Sequence, residues 1–183
     1  MNSNLYESKS TTDAMSDLSA SDKHCLFRSG PSWFSVPAIS VREISISPEL
    51  VRVPDCHPAL AGLCHLRSEF IPVLLLNSLL DIDTLVHSQP HNKLVVINGQ
   101  GGWALLIAEA AALESLETLV TPEARSDDLN QSAIMGTSMY RGQVVRVLDP
   151  TRVYQLAQRV LEQFWQRSQA SLYSSRQVLG SAC

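Results

Sequence analysis

From His24 to Asp149, glycines, prolines and polar clusters cut most of the chain into apolar pieces of strand length. That punctuation limits the fold more than any other feature. An ordinary helix needs about ten or more residues of sustained 3.6-residue periodicity, whereas a strand needs only about four to eight. "HCLFRSG" and "WFSVPAISVREISI" flank the turn dipeptide Gly30-Pro31. In "VREISI", Val41, Glu43 and Ser45 alternate with Arg42, Ile44 and Ile46, the period of a strand. "SPELVRVPDCHPAL" holds three prolines and predicts an extended connection. "GLCHLRS" and "EFIPVLLL" lie close enough to pair as a hairpin, "NSLLDID" suits one helical turn, and "HSQPHN" suits an exposed loop.

The second half repeats this style. "KLVVIN" and "WALLIA" flank "GQGG", which predicts antiparallel strands at 94–98 and 103–107. "LESLETLV" fits strand or helix, "TPEARSDDLNQS" is a polar loop, and "AIMGTSMYRG" with "QVVRVLD" forms another hairpin. From Pro150 the period changes. Asp149 can cap, Pro150 suits a first helical position, and Val153, Leu156, Val160 and Phe164 share one helical face. These signals predict a helix over 150–168 and a loose tail over 169–183. Residues 1–22, rich in Ser, Thr, Asp and Asn, predict a disordered arm, leaving 23–168 as the folded domain. Many short strands with one helix favour small β-barrels over an open parallel sheet.

A net charge of -4, with no concentrated basic face, argues against nucleic acid as a partner. The N-terminus lacks a basic-then-apolar signal pattern, and no apolar run is long enough to span a bilayer. Four cysteines without a secretion signal predict reduced thiols and a cytoplasmic location.

Several patterns invite a chemical reading. Gly99, Gly101 and Ala104 match the glycine fingerprint of dinucleotide-binding folds. "WALLIA" is bulky for a phosphate-binding helix, however, and a hairpin turn uses the same glycines. Cys56-His57 and Cys64-His65 offer four zinc ligands, but adjacent residues on an extended chain point apart. Asp81 and Asp83 are a bare acidic pair. His24, His87 and His91 lack a matched nucleophile and acid. Trp33, Trp103 and Trp165 suit the core or the contact between lobes. The sequence therefore predicts no catalytic residue, no metal and no cofactor: not an enzyme.

One stretch carries a resemblance. Phe27, Gly30, Phe34, Val36, Val41, Glu43, Ile44, Gly62, Leu66, Arg67, Ile71, Pro72 and Val73 fall in register, without a gap, on the pattern of a known family. Its specific pieces are V-x-E-I at Val41 to Ile44 and L-R-x-x-x-I-P-V at Leu66 to Val73. Residues 27 to 76 thereby resemble the CheW-like domain of bacterial chemotaxis coupling proteins. The resemblance implies two SH3-like five-stranded β-barrel lobes sharing a core, with a C-terminal helix. It implies a non-enzymatic adaptor that joins the cytoplasmic tips of methyl-accepting chemoreceptors to the regulatory domain of a CheA-type histidine kinase. A CheW-like module of a divergent motility array, with other partners, is the alternative.

Carried over residue by residue, the resemblance makes Val41, Glu43, Gly62, His65, Arg67 and Ser68 the partner-binding set. It places Glu43 on a strand near Arg67 and implies an ion pair between them. Strand alternation predicts Arg67 outward, with Cys64 and Leu66 toward the barrel core. The chain also departs from the pattern. His65 and Ser68 replace an asparagine and a glycine around the Leu-Arg pair, and Leu75, Leu76 and Asn77 replace Asp-Leu-Arg. A non-glycine residue in a left-handed turn costs on the order of 1 kcal/mol, which predicts an altered hairpin bend. Further on, Leu105 replaces a glycine and Glu109 an aspartate, while Gly136 and Asp149 restore the family's ending.

Overall fold

The computed structural model describes residues 23–82, 91–99, 101–117, 119–120 and 133–180. The arm expected at 1–22, the polar loop at 121–132, residues 83–90 with Asp83 and His87, and positions 181–183 lie outside this set. The chain is mainly β, in two sheets. Its strands are β1 (Lys23–Ser29), β2 (Ser32–Pro37), β3 (Val41–Ile46), β4 (Leu60–Leu66), β5 (Glu69–Leu74) and β6 (Lys93–Ile97). They continue with β7 (Trp103–Ile107), β8 (Glu109–Ser115), β9 (Leu119–Val120), β10 (Ile134–Tyr140) and β11 (Gln143–Leu148). A 3-10 turn at Ala38–Ser40 links β2 to β3, α1 (Leu76–Leu79) is a single helical turn, and α2 (Pro150–Gly180) is the long helix.

Turn chemistry makes the hairpins. Gly30 takes φ 56° ahead of Pro31, so β1 and β2 pair antiparallel from His24↔Pro37 to Ser29↔Ser32. The expected pairing of 94–98 with 103–107 is present as β6 and β7, from Lys93↔Ile107 to Ile97↔Trp103. Ala104 of the glycine fingerprint therefore sits in a strand, and the dinucleotide reading falls.

The connectivity interleaves the sheets. One has the order β8-β1-β2-β11-β10-β9 and the other β3-β6-β7-β5-β4. After the β1–β2 hairpin the chain crosses to place β3 beside β6. After the β6–β7 hairpin it crosses back to place β8 beside β1. The two remaining hairpins are structural repeats. β4–β5 and β10–β11 share one burial pattern along both strands, and each has its register shift at a glycine, Gly62 or Gly136. Each docks in parallel on another hairpin, β5 on β7 and β11 on β2.

Both sheets curl. β8 and β9 are neighbours in sequence but sit at opposite edges, so their sheet must turn back on itself. In the other sheet, the chain leaving edge strand β3 reaches the opposite edge where Val51 bridges Leu63 of β4. This is the expected SH3-like shape, with six strands rather than five in one lobe because the chain beyond β8 pairs again as β9.

Buried side chains divide accordingly. Cys64, Ile71, Val73, Leu94, Val96 and Ala104 fill the five-stranded lobe. Phe27, Phe34, Val36, Leu74, Leu76, Val95, Ile97, Trp103, Leu105 and Leu148 form the larger core shared by the lobes, and Val153, Leu156 and Ala157 of α2 pack into it. Asp149 caps α2 by accepting from the backbone N–H groups of Thr151 (2.9 Å) and Arg152 (3.2 Å). The helix does not stop near Ser168 but runs to Gly180, since neither glycine nor proline interrupts it between those positions. Among the tryptophans, Trp103 is core and Trp33 is half-buried against Tyr140, while Trp165 is exposed, contrary to expectation.

Candidate partner-docking site

The hairpin between β4 and β5 turns on two residues, Arg67 and Ser68, with φ values of 48° and 73°. Two positive φ angles mark the turn whose twist suits a β-hairpin. Ser68 thus takes the left-handed backbone without a glycine. Arg67 is itself a turn residue rather than a member of the strand face. It points outward because the turn projects it, not because of strand alternation.

Its side chain is 76 % exposed, and its Nη2 lies 2.5 Å from Oε2 of Glu43, a side chain only 17 % exposed. Glu43 comes from β3, which is not adjacent to β4 but occupies the opposite edge of the same sheet. Curling brings the two together. A second pair reinforces the closure, with Arg42 Nη1 3.1 Å from Glu69 Oε2. Successive residues of β3 thus meet both sides of one turn with alternating charge. The exposed Arg42–Glu69 pair contributes about 0–1 kcal/mol, so the effect of the arrangement is mainly orientation.

The β6–β7 turn lies under this edge. A Cβ at Gly102, where φ is 58°, would stand 3.6 Å from Arg42 Nη1 and 3.9 Å from Glu69 Oε2. The glycines that suggested a nucleotide loop therefore border a shallow pocket of about 300 Å³ beside the ion pairs. One residue pair back from the turn, His65 and Phe70 face each other with ring centroids 4.9 Å apart, and Phe70 is exposed.

The expected set divides. Glu43, Arg67 and Ser68 come together, with His65 next to them on the hairpin. Val41 is half-buried against the shared core. Gly62 stands toward the far end of β4 at the register shift, where a Cβ would meet the Val51 carbonyl oxygen at 2.6 Å. Its role is to let two backbones approach. Arg42, Glu69 and Phe70 were missed by sequence reasoning, although the charge order Arg-Glu on β3 against Arg-x-Glu at the turn was a usable signal.

A family model of the CheW-like domain matches residues 23–159. The chain belongs to the CheW-like domain family. The scaffolding protein TtCheW from Thermoanaerobacter tengcongensis has a similar structure, with a TM-score of 0.60 at 12 % identity, covering 81 % of this chain and 91 % of that one. At that identity the likeness concerns the fold. No curated protein matches the sequence closely.

Within this CheW-like domain the second repeated hairpin carries a turn of the same kind, Arg141-Gly142, with φ values of 49° and 77°. Strand pairing makes Ala112, opposite Leu26, the counterpart of Glu43, opposite Val96. Ala112 offers Arg141 no carboxylate, and the Arg141 guanidinium lies over the Tyr140 ring, 5.1 Å from the centroid. The two cysteine–histidine pairs are placed apart. Cys64 is buried inside its lobe, where burial pushes its thiol pKa up, while His65 faces out. Cys56 is half-buried, and His57 meets Phe164 edge-on. Among the described residues, no three metal-ligating side chains converge, and no helix is long and apolar enough to cross a membrane.

Proposed function

We propose that this chain is a non-enzymatic chemosensory adaptor, joining a chemoreceptor cytoplasmic tip to the regulatory domain of a CheA-type histidine kinase. The observation that carries the reading is the Arg67 turn of a CheW-like domain, held against Glu43 and projecting from its lobe. A guanidinium presents several donors in one plane. Fixed by a half-buried carboxylate on one side, it offers its remaining donors to a partner with little rotamer entropy left to lose. Glu43, His65, Arg67 and Ser68 form the receptor-facing patch, with the exposed Phe70 ring as its apolar contact.

Co-purification with the kinase regulatory domain and, separately, with a receptor-tip helical hairpin tests the proposal. Both should be retained, and Arg67→Ala should lose the tip while keeping the kinase domain. Retention of neither by the unmodified chain would reject the adaptor role. Retention of the kinase domain alone would assign the chain to the alternative of a divergent array.

A further inference from the structure

The internal repeat extends beyond the two docked hairpins. Val73 of β5 stands beside Ala104, and Val147 of β11 beside Ser35. The β6–β7 hairpin is thereby the counterpart of β1–β2, with Ile97 opposite Trp103 matching Phe27 opposite Phe34. The residues next in line are Asn98 and Arg28. Asn98 donates its N–H to the Ser40 carbonyl oxygen at 2.8 Å, and Arg28 pairs in register with Glu109. The first turn of α2 likewise matches α1. Asp149 and Leu75, just before them, each donate a backbone N–H to an alanine carbonyl, Ala133 or Ala59.

The two halves treat this junction differently. Beside α1 it is filled. Arg28 Nε lies 3.8 Å from Glu109 Oε2, and a Cβ on Gly30 would fall 2.4 Å from Asn77 Nδ2. Beside α2, Ser40 and Asn98 stand where the charged pair would be, and a hollow of about 280 Å³ remains. That is just below the roughly 300–1,000 Å³ of sites for drug-sized ligands, so it suits a smaller one.

The walls of the hollow are polar and uncharged. Thr151, Gln155 and Gln158 line it from one face of α2, at helical spacings of four and three residues. Ser40 and Asn98 line it from the other side. Between them stands Tyr154, held against the buried Trp103 with ring centroids 5.9 Å apart and planes at 31°. Among the described residues, no carboxylate, guanidinium, ammonium or imidazole lines the space. An ionised ligand would lose hydration there without meeting a counter-charge. The carboxamides and hydroxyls each donate and accept, which matches a ligand carrying adjacent hydroxyl groups. The Tyr154 ring adds a flat apolar wall for the C–H face of a sugar ring.

We propose that this hollow binds a neutral, polyhydroxylated ligand of monosaccharide size, seated between the β6–β7 turn and α2. The test is saturation-transfer NMR on the full chain with glucose, galactose and N-acetylglucosamine, and with glucosamine and glucuronate as charged counterparts. It requires neither receptor nor kinase, so it is independent of the adaptor proposal. Saturation should reach at least one neutral sugar, which should bind at least about tenfold more tightly than either charged counterpart. Gln155→Ala with Gln158→Ala removes only exposed side chains; it should keep the thermal midpoint and lose the signal. Ser40→Glu with Asn98→Arg, which writes the charged pair of the other half into the hollow, should lose it as well. Silence from every neutral sugar would overturn the proposal. So would a signal that survives either pair of substitutions, or charged counterparts that bind as tightly as the neutral sugars.

Discussion

Gly62 and Arg67 stand five positions apart in the most apolar hairpin of the chain, and substitution should separate their roles. Gly62 has φ 152° and the Val51 carbonyl against its missing side chain. Gly62→Ala should therefore destabilise the fold by about 2 kcal/mol or more, read as a lowered denaturant midpoint. Arg67→Ala removes an exposed side chain and should shift stability by about 1 kcal/mol or less, while receptor-tip binding in a pull-down falls away. A third residue adds a pH signature. His91 Nε2 is buried with no hydrogen-bond partner among the described residues, and burial lowers the pKa of its ring below 6.5. The unfolded chain then binds the proton more readily than the folded one, so His91 costs stability as pH falls through about 6.5. His91→Gln should flatten the urea midpoint between pH 7.5 and 5.5, and an unchanged slope would show that other groups dominate. The ion pair at Arg67 was legible because Glu43 and Arg67 fall on a family pattern. Val41 and Gly62 fall on it too, for packing and backbone reasons that a sequence pattern does not distinguish from binding.

At the scale of elements, the first half of α2 packs on the lobes. Ending the chain at Asp149 removes Val153 and Leu156, whose burial contributes roughly 1.5–3 kcal/mol each, and should leave a marginal domain. Ending it at Ser168 keeps Val153, Leu156, Ala157 and the Phe164 contact with His57 and should leave a thermal midpoint well above that of the chain ending at Asp149. If the chain ending at Asp149 melts like the full one, the helix is not part of the shared core. The hairpins were legible because Gly30-Pro31 and the glycines after Asn98 announce turns. Strand β8 was not, since Ala110, Ala111 and Ala112 favour a helix and only pairing with β1 overrides that preference. The far end of α2 was illegible for a simpler reason: serines weaken a helix without stopping it.

On the scale of the whole molecule, the exchanged strands β3 and β8 tie the lobes into one cooperative unit. Calorimetry of the full chain, under conditions where it is a single species, should give one transition with matching calorimetric and van't Hoff enthalpies. Two resolved transitions would mean that the lobes unfold separately despite the exchange. The same connectivity sets an order of assembly during synthesis. Every strand of the five-stranded sheet lies between Val41 and Ile107, so that lobe has all its strands well before translation ends. The other sheet needs β1 and β2 from the start of the domain and β10 and β11 from its end. At typical translation rates the β1–β2 hairpin emerges on the order of ten seconds before the strands that complete its sheet. During that interval Phe27, Phe34 and Val36 have no α2 to cover them, and the nascent chain is at its most exposed to aggregation and to chaperones.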